Sequence, residues 1–320
     1  MAGDTYDIEN FERAALTTCT PTPIVRKDRI SVVNSSGEDD FVLVLDIEAS
    51  TNHSVARVSD SEVFLRQNDK SVKLSREQVF AFEYDKGQRI FEDELVEDSS
   101  LDDMDHEVLD RYKRILGTEV SDDQVLRSLR FMRDGKLTVA GALLFTRDHS
   151  AMMPQARVRV GRYDGVKMET GERLNITKER SFCGPLLKVI QDAYELISSI
   201  LREFQFLGPD GKFQTVPEYP EFAWFEDLVN AATHRDYSFR GDYIRVSMFD
   251  DRLEIVSPGA LPNIVTLDNM RTTRYSRNLR IARTPVEFGW VRELNEGVKR
   301  IYTEMQNSLL TTQSTRSLMG

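Results

Sequence analysis

The sequence predicts an α+β protein with two domains, the second of which is built as an α/β sandwich. The chain has 320 residues, enough for two separate cores. Short β-rich runs dominate residues 29–66, whereas residues 217–262 combine a helical pattern with a hairpin pattern. We therefore expect a β-rich first domain and a second domain in which helices cover one face of a mixed sheet.

The first predicted domain covers residues 1–95. Its β-rich runs lie at residues 30–33, 41–47, 55–58 and 63–66. Turn-forming residues separate the runs, which together predict a small sheet. The following segment, Ser75-Arg76-Glu77-Gln78, is typical of the start of a helix or turn.

A helical connector rich in acids is predicted over residues 96–136. Residues 91–110 contain ten acidic side chains and no lysine or arginine. This composition favours a solvated linker that leads into a helix, because acids stabilise helix N-termini. An acidic mimic of DNA is the alternative. Helices are predicted over residues 105–116 and 122–132, joined at Gly117-Thr118.

The second predicted domain covers residues 137–306, and a disordered polar tail is expected over 307–320. Residues 155–163 predict an edge or one-faced strand whose arginines alternate out to solvent. A long amphipathic helix is predicted over 186–204.

Residues 217–262 contain the pattern that points to a site. Apolar residues at the three-and-four spacing predict a helix that ends near His234. Glu226 and Asn230 lie one turn apart on it, so the carboxylate and the amide can converge on one ligand or metal-bound water. Alternating residues on both sides of Asp250-Asp251 then predict a β-hairpin, followed by a loop with two prolines and a glycine.

A family resemblance rests on four segments: EDLVNAATHRDYS, FDDRLEIVSPGALP, SRNLRIA and EFGWVRELNEGVKRI. They resemble the bacterial RecG-like C-terminal module, a divergent relative of the GHKL ATPases. That module commonly follows a DNA-binding domain of the Schlafen/AlbA type. Phe64-Leu65-Arg66 and Leu74-Ser75-Arg76-Glu77 resemble the second half of such a domain, and the pattern of its first half has no counterpart in this sequence.

The resemblance implies a nucleotide site with ATP and Mg²⁺ as its ligands. In GHKL proteins a helix carries a Glu-x-x-x-Asn box in which the asparagine holds magnesium and the glutamate acts as a base. These roles fall on Asn230 and Glu226. Further nucleotide contacts are implied for His234, Arg235, Ser257, Gly259, Arg277 and Gly297.

The sequence also departs from the GHKL pattern. Ser257 stands where that family has an aspartate for the adenine amino group, and a serine lacks the charge assistance that strengthens such a bond. The usual Gly-x-Gly appears as Asn295-Glu296-Gly297, with the first glycine lost. No phosphate-binding loop of the Gly-x-x-x-x-Gly-Lys-Ser/Thr type occurs. At most a slow ATPase is expected, and not a helicase.

An unusual charge pattern follows the hairpin. Arginines recur at every third residue, at Arg271, Arg274, Arg277, Arg280 and Arg283. On a helix they would form a basic ridge suited to the phosphates of a nucleotide or of DNA. Pairing with the abundant acids is the alternative for each of them.

Composition limits the class of protein. The formal net charge of −11 does not attract a phosphate backbone, so any nucleic-acid contact requires a local basic patch. No apolar run suits a membrane span or a signal peptide, which predicts a cytoplasmic protein with no membrane partner. Cys19 and Cys183 are isolated, which favours free thiols.

The predicted function is that of a prokaryotic, ATP-binding, DNA-associated regulator. Nucleotide in the cleft would bias its conformation or its dimerisation as a homodimer. The alternative is an interaction or transcription-regulator scaffold that keeps the ATPase fold without nucleotide. A Schlafen-type nuclease is a third option, against which the absent carboxylate motif argues.

Overall fold

The structure is a computed structural model. It describes residues 8–50, 52–67, 69–208, 210–261, 265–270, 272–273, 275–291 and 297–307. The chain divides into two compact units, Met1–Arg89 (unit 1) and Ile90–Gly320 (unit 2). The segment expected to form a connector, 96–136, lies within unit 2. The expected tail lies outside the described residues apart from Asn307, which ends a helix.

Unit 1 is made of short elements. In chain order they are α1 (Ile8–Thr18), β1 (Cys19–Thr20), β2 (Val25–Val33), β3 (Asp39–Ile47), β4 (Ala56–Arg57), β5 (Phe64–Gln67), β6 (Lys70–Lys73) and α2 (Arg76–Asp85). Ser75 caps α2 in a capping box with Gln78, which confirms the predicted start of a helix there. Cys19 is a free thiol, as is Cys183 in unit 2, and both agree with the prediction.

The strands of unit 1 pair as separate antiparallel ladders, β1 with β4, β2 with β3 and β5 with β6. The β-rich runs therefore do not join into the single small sheet that the sequence predicts, within the part of unit 1 that is described. Most residues of the β2–β3 hairpin are exposed, so neither of its faces packs on a core. The buried apolar residues described in unit 1 are Val63 and Leu74.

Unit 2 contains the larger fold. Its helices and strands are α3 (His106–Leu116), α4 (Asp122–Ser128), β7 (Met132–Arg133), β8 (Lys136–Leu137), α5 (Val139–Phe145), β9 (Val158–Tyr163), β10 (Ile176–Phe182), α6 (Leu186–Ile200), β11 (Glu203–Leu207), β12 (Phe213–Pro217), α7 (Glu221–Thr233), β13 (Ile244–Met248), β14 (Leu253–Val256), α8 (Leu279–Glu287) and α9 (Gly297–Asn307). Short 3₁₀ helices cover Phe91–Asp93, Leu101–Asp103 and Gly171–Arg173.

The central sheet of unit 2 is mixed, with the strand order β10-β9-β13-β14. β9 and β13 run parallel, with Val158 opposite Ile244, and the other two pairs are antiparallel. Buried residues of β9 and β13 join those of α5, α6 and α7 in one core. The α+β class and the mixed sheet are as the sequence predicts.

Strand β9 differs from its prediction in its position within the sheet and in the burial of one of its arginines. It is an interior strand and not an edge, because it pairs with β10 on one side and β13 on the other. Its arginines do not both reach solvent: Arg159 contacts Glu179 at the surface, whereas Arg162 is 7% exposed. The buried guanidinium pairs with Glu218, 3.1 Å away, which offsets its desolvation.

Two helices are shorter than predicted. α4 ends at Ser128, because Arg130 adopts a left-handed φ of 60° and the chain turns into β7. α6 ends at Ile200, because Glu203 already pairs with Pro217 in the β11–β12 hairpin.

The acidic segment is only in part the predicted linker. The predicted helix after Ser99-Ser100 is present as a 3₁₀ turn capped by Ser100 and as α3, capped by Asp105. Glu92, however, is fully buried. Every helix in the described residues is too short or too polar to span a bilayer.

Candidate functional site

Helix α7 carries the predicted Glu-x-x-x-Asn pair. It begins after Pro220 and ends at Thr233 with His234 as its C-cap, and the sequence predicts an end near His234. Trp224, Leu228 and Val229 on its apolar face are buried in the core of unit 2. This burial fixes the rotation of the helix and so the direction of its remaining side chains.

Glu226 and Asn230 converge on the same turn of α7. The Asn230 Nδ2 atom lies 3.5 Å from Oε1 of Glu226. Glu226 is 7% exposed, and burial raises the pKa of its carboxyl group, opposed by the hydrogen bond from Asn230 and the charge of Arg300. A buried carboxylate beside an amide oxygen supplies ligands of the kind that Mg²⁺ prefers.

Glu226→Gln is expected to stabilise the protein at neutral pH by about 1 kcal/mol. Because the folded pKa lies above the unfolded one, the stability that Glu226 contributes is present at low pH and is lost as the pH rises through the folded pKa. The amide variant does not suffer this loss. Thermal unfolding at pH 8 should show a gain in Tm of about 2–4 °C.

The gain should vanish below the ordinary glutamate pKa of about 4.3, where both states are protonated. Asp227→Asn serves as the matched control, since Asp227 is only half-buried on the next position of the helix. It should give no gain. An equal gain from both variants would show that net charge, not burial, is responsible.

The loop after the hairpin packs against the end of α7. The Ser257 hydroxyl donates to the Ala231 carbonyl at 2.8 Å. The Pro258 carbonyl accepts from the Asp236 amide at 3.1 Å. Gly259 has a φ of +119°, and a Cβ atom there would lie 2.4 Å from Cβ of Asp236. This close approach requires a glycine, which gives a physical reason for the Ser-Pro-Gly sequence.

His234 and Arg235 have different environments although they are adjacent. His234 is solvent-exposed, and desolvation, followed by the charge of Arg277, lowers its pKa.

Arg235 is fully buried, and its guanidinium donates to the carbonyls of Asp236, Phe239 and Asp242 at 2.8, 3.0 and 2.6 Å. These contacts favour a structural role in the turn after α7. The contact between Arg235 and Asp236 therefore involves the backbone carbonyl of Asp236 and not its carboxylate.

Arg277 and Asn278 connect this loop to helix α8. Arg277 lies 3.4 Å from the Asp236 carboxylate and donates to the Ala260 carbonyl at 3.1 Å. Asn278 is 1% exposed, and its amide donates to the carbonyls of Thr233 and Arg235 at 2.9 and 2.8 Å. Thr233 is the last residue of α7 and Arg235 lies in the turn that follows, so Asn278 ties the start of α8 to the end of α7.

The basic ridge is only partly described. Arg271 and Arg274 lie outside the described residues. Each of the other three arginines contacts a carboxylate: Arg277 with Asp236, Arg280 with Asp93, and Arg283 with Glu287. These contacts support the alternative that the acids of the chain neutralise them.

Helix α9 covers part of α7. Gly297 is the first residue of α9. Ile301 and Met305 of α9 pack against Ala223 of α7. The Arg300 guanidinium lies 3.8 Å from the centre of the Phe222 ring. This places a positive charge near the Glu226 end of the site.

The structure adds Glu92, Asp236 and Asn278, which were not among the nucleotide-site residues that the resemblance implied. Asn278 stands in the Ser276-Arg277-Asn278 triplet that the resemblance highlighted, so a signal for it existed. Glu92 carried no signal beyond its acidic neighbourhood. No group of three or more His, Cys, Asp or Glu able to hold a metal occurs among the described residues.

Comparisons with known proteins give a family match for part of unit 2 and a solved structure of similar fold. Residues 241–318 match the family model described as "Putative ATP-dependent DNA helicase recG C-terminal". The chain is similar in fold to the crystal structure of the DIP2311 protein from Corynebacterium diphtheriae, with a TM-score of 0.54 and 20% identity. That similarity covers 95% of this chain but only 58% of the DIP2311 chain. No curated protein gives a significant match.

The hairpin, the glycine loop and helix α8 all lie within the matched residues, and α7 packs directly against them. Residues 241–318 are thus similar to the RecG C-terminal ATPase-type domain, whereas α7, with Glu226 and Asn230, precedes the matched residues.

Proposed function

We propose that unit 2 binds ATP with Mg²⁺ in a divergent GHKL-type site on α7, and that the protein acts as a DNA-associated regulator. The observation that carries the proposal is the pairing of Glu226 with Asn230, whose Oε1 and Nδ2 atoms lie 3.5 Å apart. Both residues lie on α7, which packs against β14 and α8, two elements within the residues that match the ATPase-type family model. The amide oxygen of Asn230 would hold the metal ion. Glu226 would orient or deprotonate a water, and its raised pKa makes it a stronger base.

The loop would contact the base and the sugar of the nucleotide. The Ser257 hydroxyl already donates to the Ala231 carbonyl, so its oxygen is left to accept a hydrogen bond from an amino group. His234 reaches solvent beside Arg277 and would lie against the phosphates. Turnover, if present, would be slow, because the neutral Ser257 gives a weaker bond than a carboxylate would.

The alternative is a scaffold that has kept the fold and lost the nucleotide. One observation favours it: Arg277 is held by Asp236 and the Ala260 carbonyl and would have to leave them to reach a phosphate. DNA binding through the arginine ridge, the Schlafen/AlbA nature of unit 1 and a homodimer remain predictions.

Binding of a fluorescent ATP analogue, with and without Mg²⁺, tests the proposal. Asn230→Ala should raise the Kd at least about tenfold in Mg²⁺, which corresponds to about 1.4 kcal/mol, and should change little in EDTA. Gln191→Ala, which removes an amide from α6, is the matched control and should bind like wild type. Absence of binding to wild type at millimolar nucleotide would overturn the proposal in favour of the scaffold.

A further inference from the structure

Glu92 is a fully buried acid whose contacts lie far along the chain. Its carboxylate accepts the backbone N–H groups of Arg280 at 2.9 and 3.1 Å and of Ile281 at 3.1 Å. These residues form the first turn of α8. We propose that Glu92 is a positioning residue of the candidate site, acting through α8 on Arg277 and Asn278. The inference rests on the nucleotide site proposed above.

Glu92 takes over the capping role that Asn278 would normally have at the start of α8. The residue before α8 is Asn278, and asparagine is among the best N-cap residues. Its side chain nevertheless makes no capping hydrogen bond to α8. The amide group is used instead on the carbonyls of Thr233 and Arg235. Glu92 supplies the acceptor that the N–H groups of α8 would otherwise take from Asn278.

Asn278 and Arg277 connect the start of α8 to the candidate site. Asn278 donates to the carbonyl of Thr233, the last residue of α7, and to that of Arg235 in the turn that follows, three and five residues beyond Asn230. Arg277 precedes it and contacts Asp236 and the Ala260 carbonyl. The residues that lead into α8 therefore hold both the end of α7 and the glycine loop after β14.

Glu92 is itself held in place by its contacts with Arg280. Arg280 has its Nη1 atom 3.6 Å from Glu92 and also contacts Asp93. Burial raises the pKa of Glu92, whereas the N–H groups and the Arg280 charge oppose that rise. These contacts fix the position of the Glu92 carboxylate, and the carboxylate in turn fixes the position of the first turn of α8.

Loss of the Glu92 acceptor should release this arrangement. The N–H groups of Arg280 and Ile281 would be left unsatisfied in a buried position, which is costly. Asn278 is the local residue able to cap them. Turning its side chain toward α8 would break its two bonds to α7.

The test compares Glu92→Ala, Glu92→Gln and Tyr112→Phe. The phenol of Tyr112 donates to Glu287 at 2.5 Å, at the opposite end of α8, so its loss perturbs the same helix without touching the first turn. Glutamine keeps a carbonyl acceptor. Two measurements are made well below Tm: the Kd of the ATP analogue in Mg²⁺, and hydrogen exchange over residues 230–239.

We expect Glu92→Ala to weaken nucleotide binding about tenfold, to accelerate exchange over residues 230–239, and to be largely rescued in Glu92→Gln. Tyr112→Phe should lower Tm with wild-type Kd and wild-type exchange in that segment. Equal Kd and exchange in Glu92→Ala and wild type would overturn the positioning role.

Hydrogen exchange separates this inference from the proposed function. If wild type binds no nucleotide but Glu92→Ala still accelerates exchange at the end of α7, the positioning role stands and the nucleotide proposal fails. If Tyr112→Phe accelerates exchange there as much as Glu92→Ala, the effect is general destabilisation and the inference fails.

Discussion

Gly259→Ala is expected to cost about 3–5 kcal/mol, the sum of backbone strain and overpacking. The φ of +119° is one that side-chain-bearing residues rarely adopt, and the new Cβ would lie 2.4 Å from Cβ of Asp236. Because Asp236 holds Arg277, relief of the clash must also move the site. Thermal unfolding should show a drop in Tm of about 10 °C, and the Kd for nucleotide should rise with it.

Gly184→Ala is the matched control for this substitution. Gly184 has nearly the same φ, +118°, but the nearest atom to a Cβ there is the Arg147 carbonyl oxygen at 3.2 Å. Strain alone should cost about 1–3 kcal/mol, with nucleotide binding unchanged. Equal losses from the two variants would mean that the contact with Asp236 yields easily and that Gly259 does not shape the site.

Glu218→Ala should destabilise the protein by about 3–5 kcal/mol, because it removes the nearer and more buried carboxylate of a buried guanidinium and leaves it only Asp250, 3.6 Å away. The side chains of Arg162 and Glu218 are 9% and 4% exposed, and they lie 3.1 Å apart. Glu218 also accepts the backbone N–H of Arg202 at 3.0 Å. The free energy of unfolding in urea measures the loss.

The double variant Arg162→Met/Glu218→Met is expected to lose less than the sum of the two single variants, since neither charge is left unpaired. The pair Arg252 and Glu254, 41% and 43% exposed, gives the control. Glu254→Ala should cost no more than about 1 kcal/mol. A loss of that size at Glu218 would show that water or the Asp250 carboxylate replaces Glu218 as the partner of Arg162.

Local patterns predicted the elements of the site well. The spacing of apolar residues placed the end of α7 at His234, and alternation around Asp250-Asp251 placed the hairpin. Both signals come from neighbouring residues, which is why a single sequence contains them. The pairing of Glu226 with Asn230 follows from the same helical period.

The remaining features depend on contacts between distant residues. Arg162 was expected at a solvated edge, because nothing near it in the sequence reveals Glu218. Glu92 was expected in a solvated linker, yet its partners lie 188 and 189 positions further on. Only the packed fold determines which charged groups lose their water.

The parallel pairing of β9 with β13 has a consequence for how the protein folds. Val158 and Ile244 must meet across the whole of β10, α6, the β11–β12 hairpin and α7. Closing so long a loop is slow, and it cannot start until those segments have left the ribosome. The Glu92 contact closes later still, after Ile281 has been made. During synthesis the helix that bears Glu226 and Asn230 therefore leaves the ribosome before β14, α8 and α9, three of the elements that pack against it.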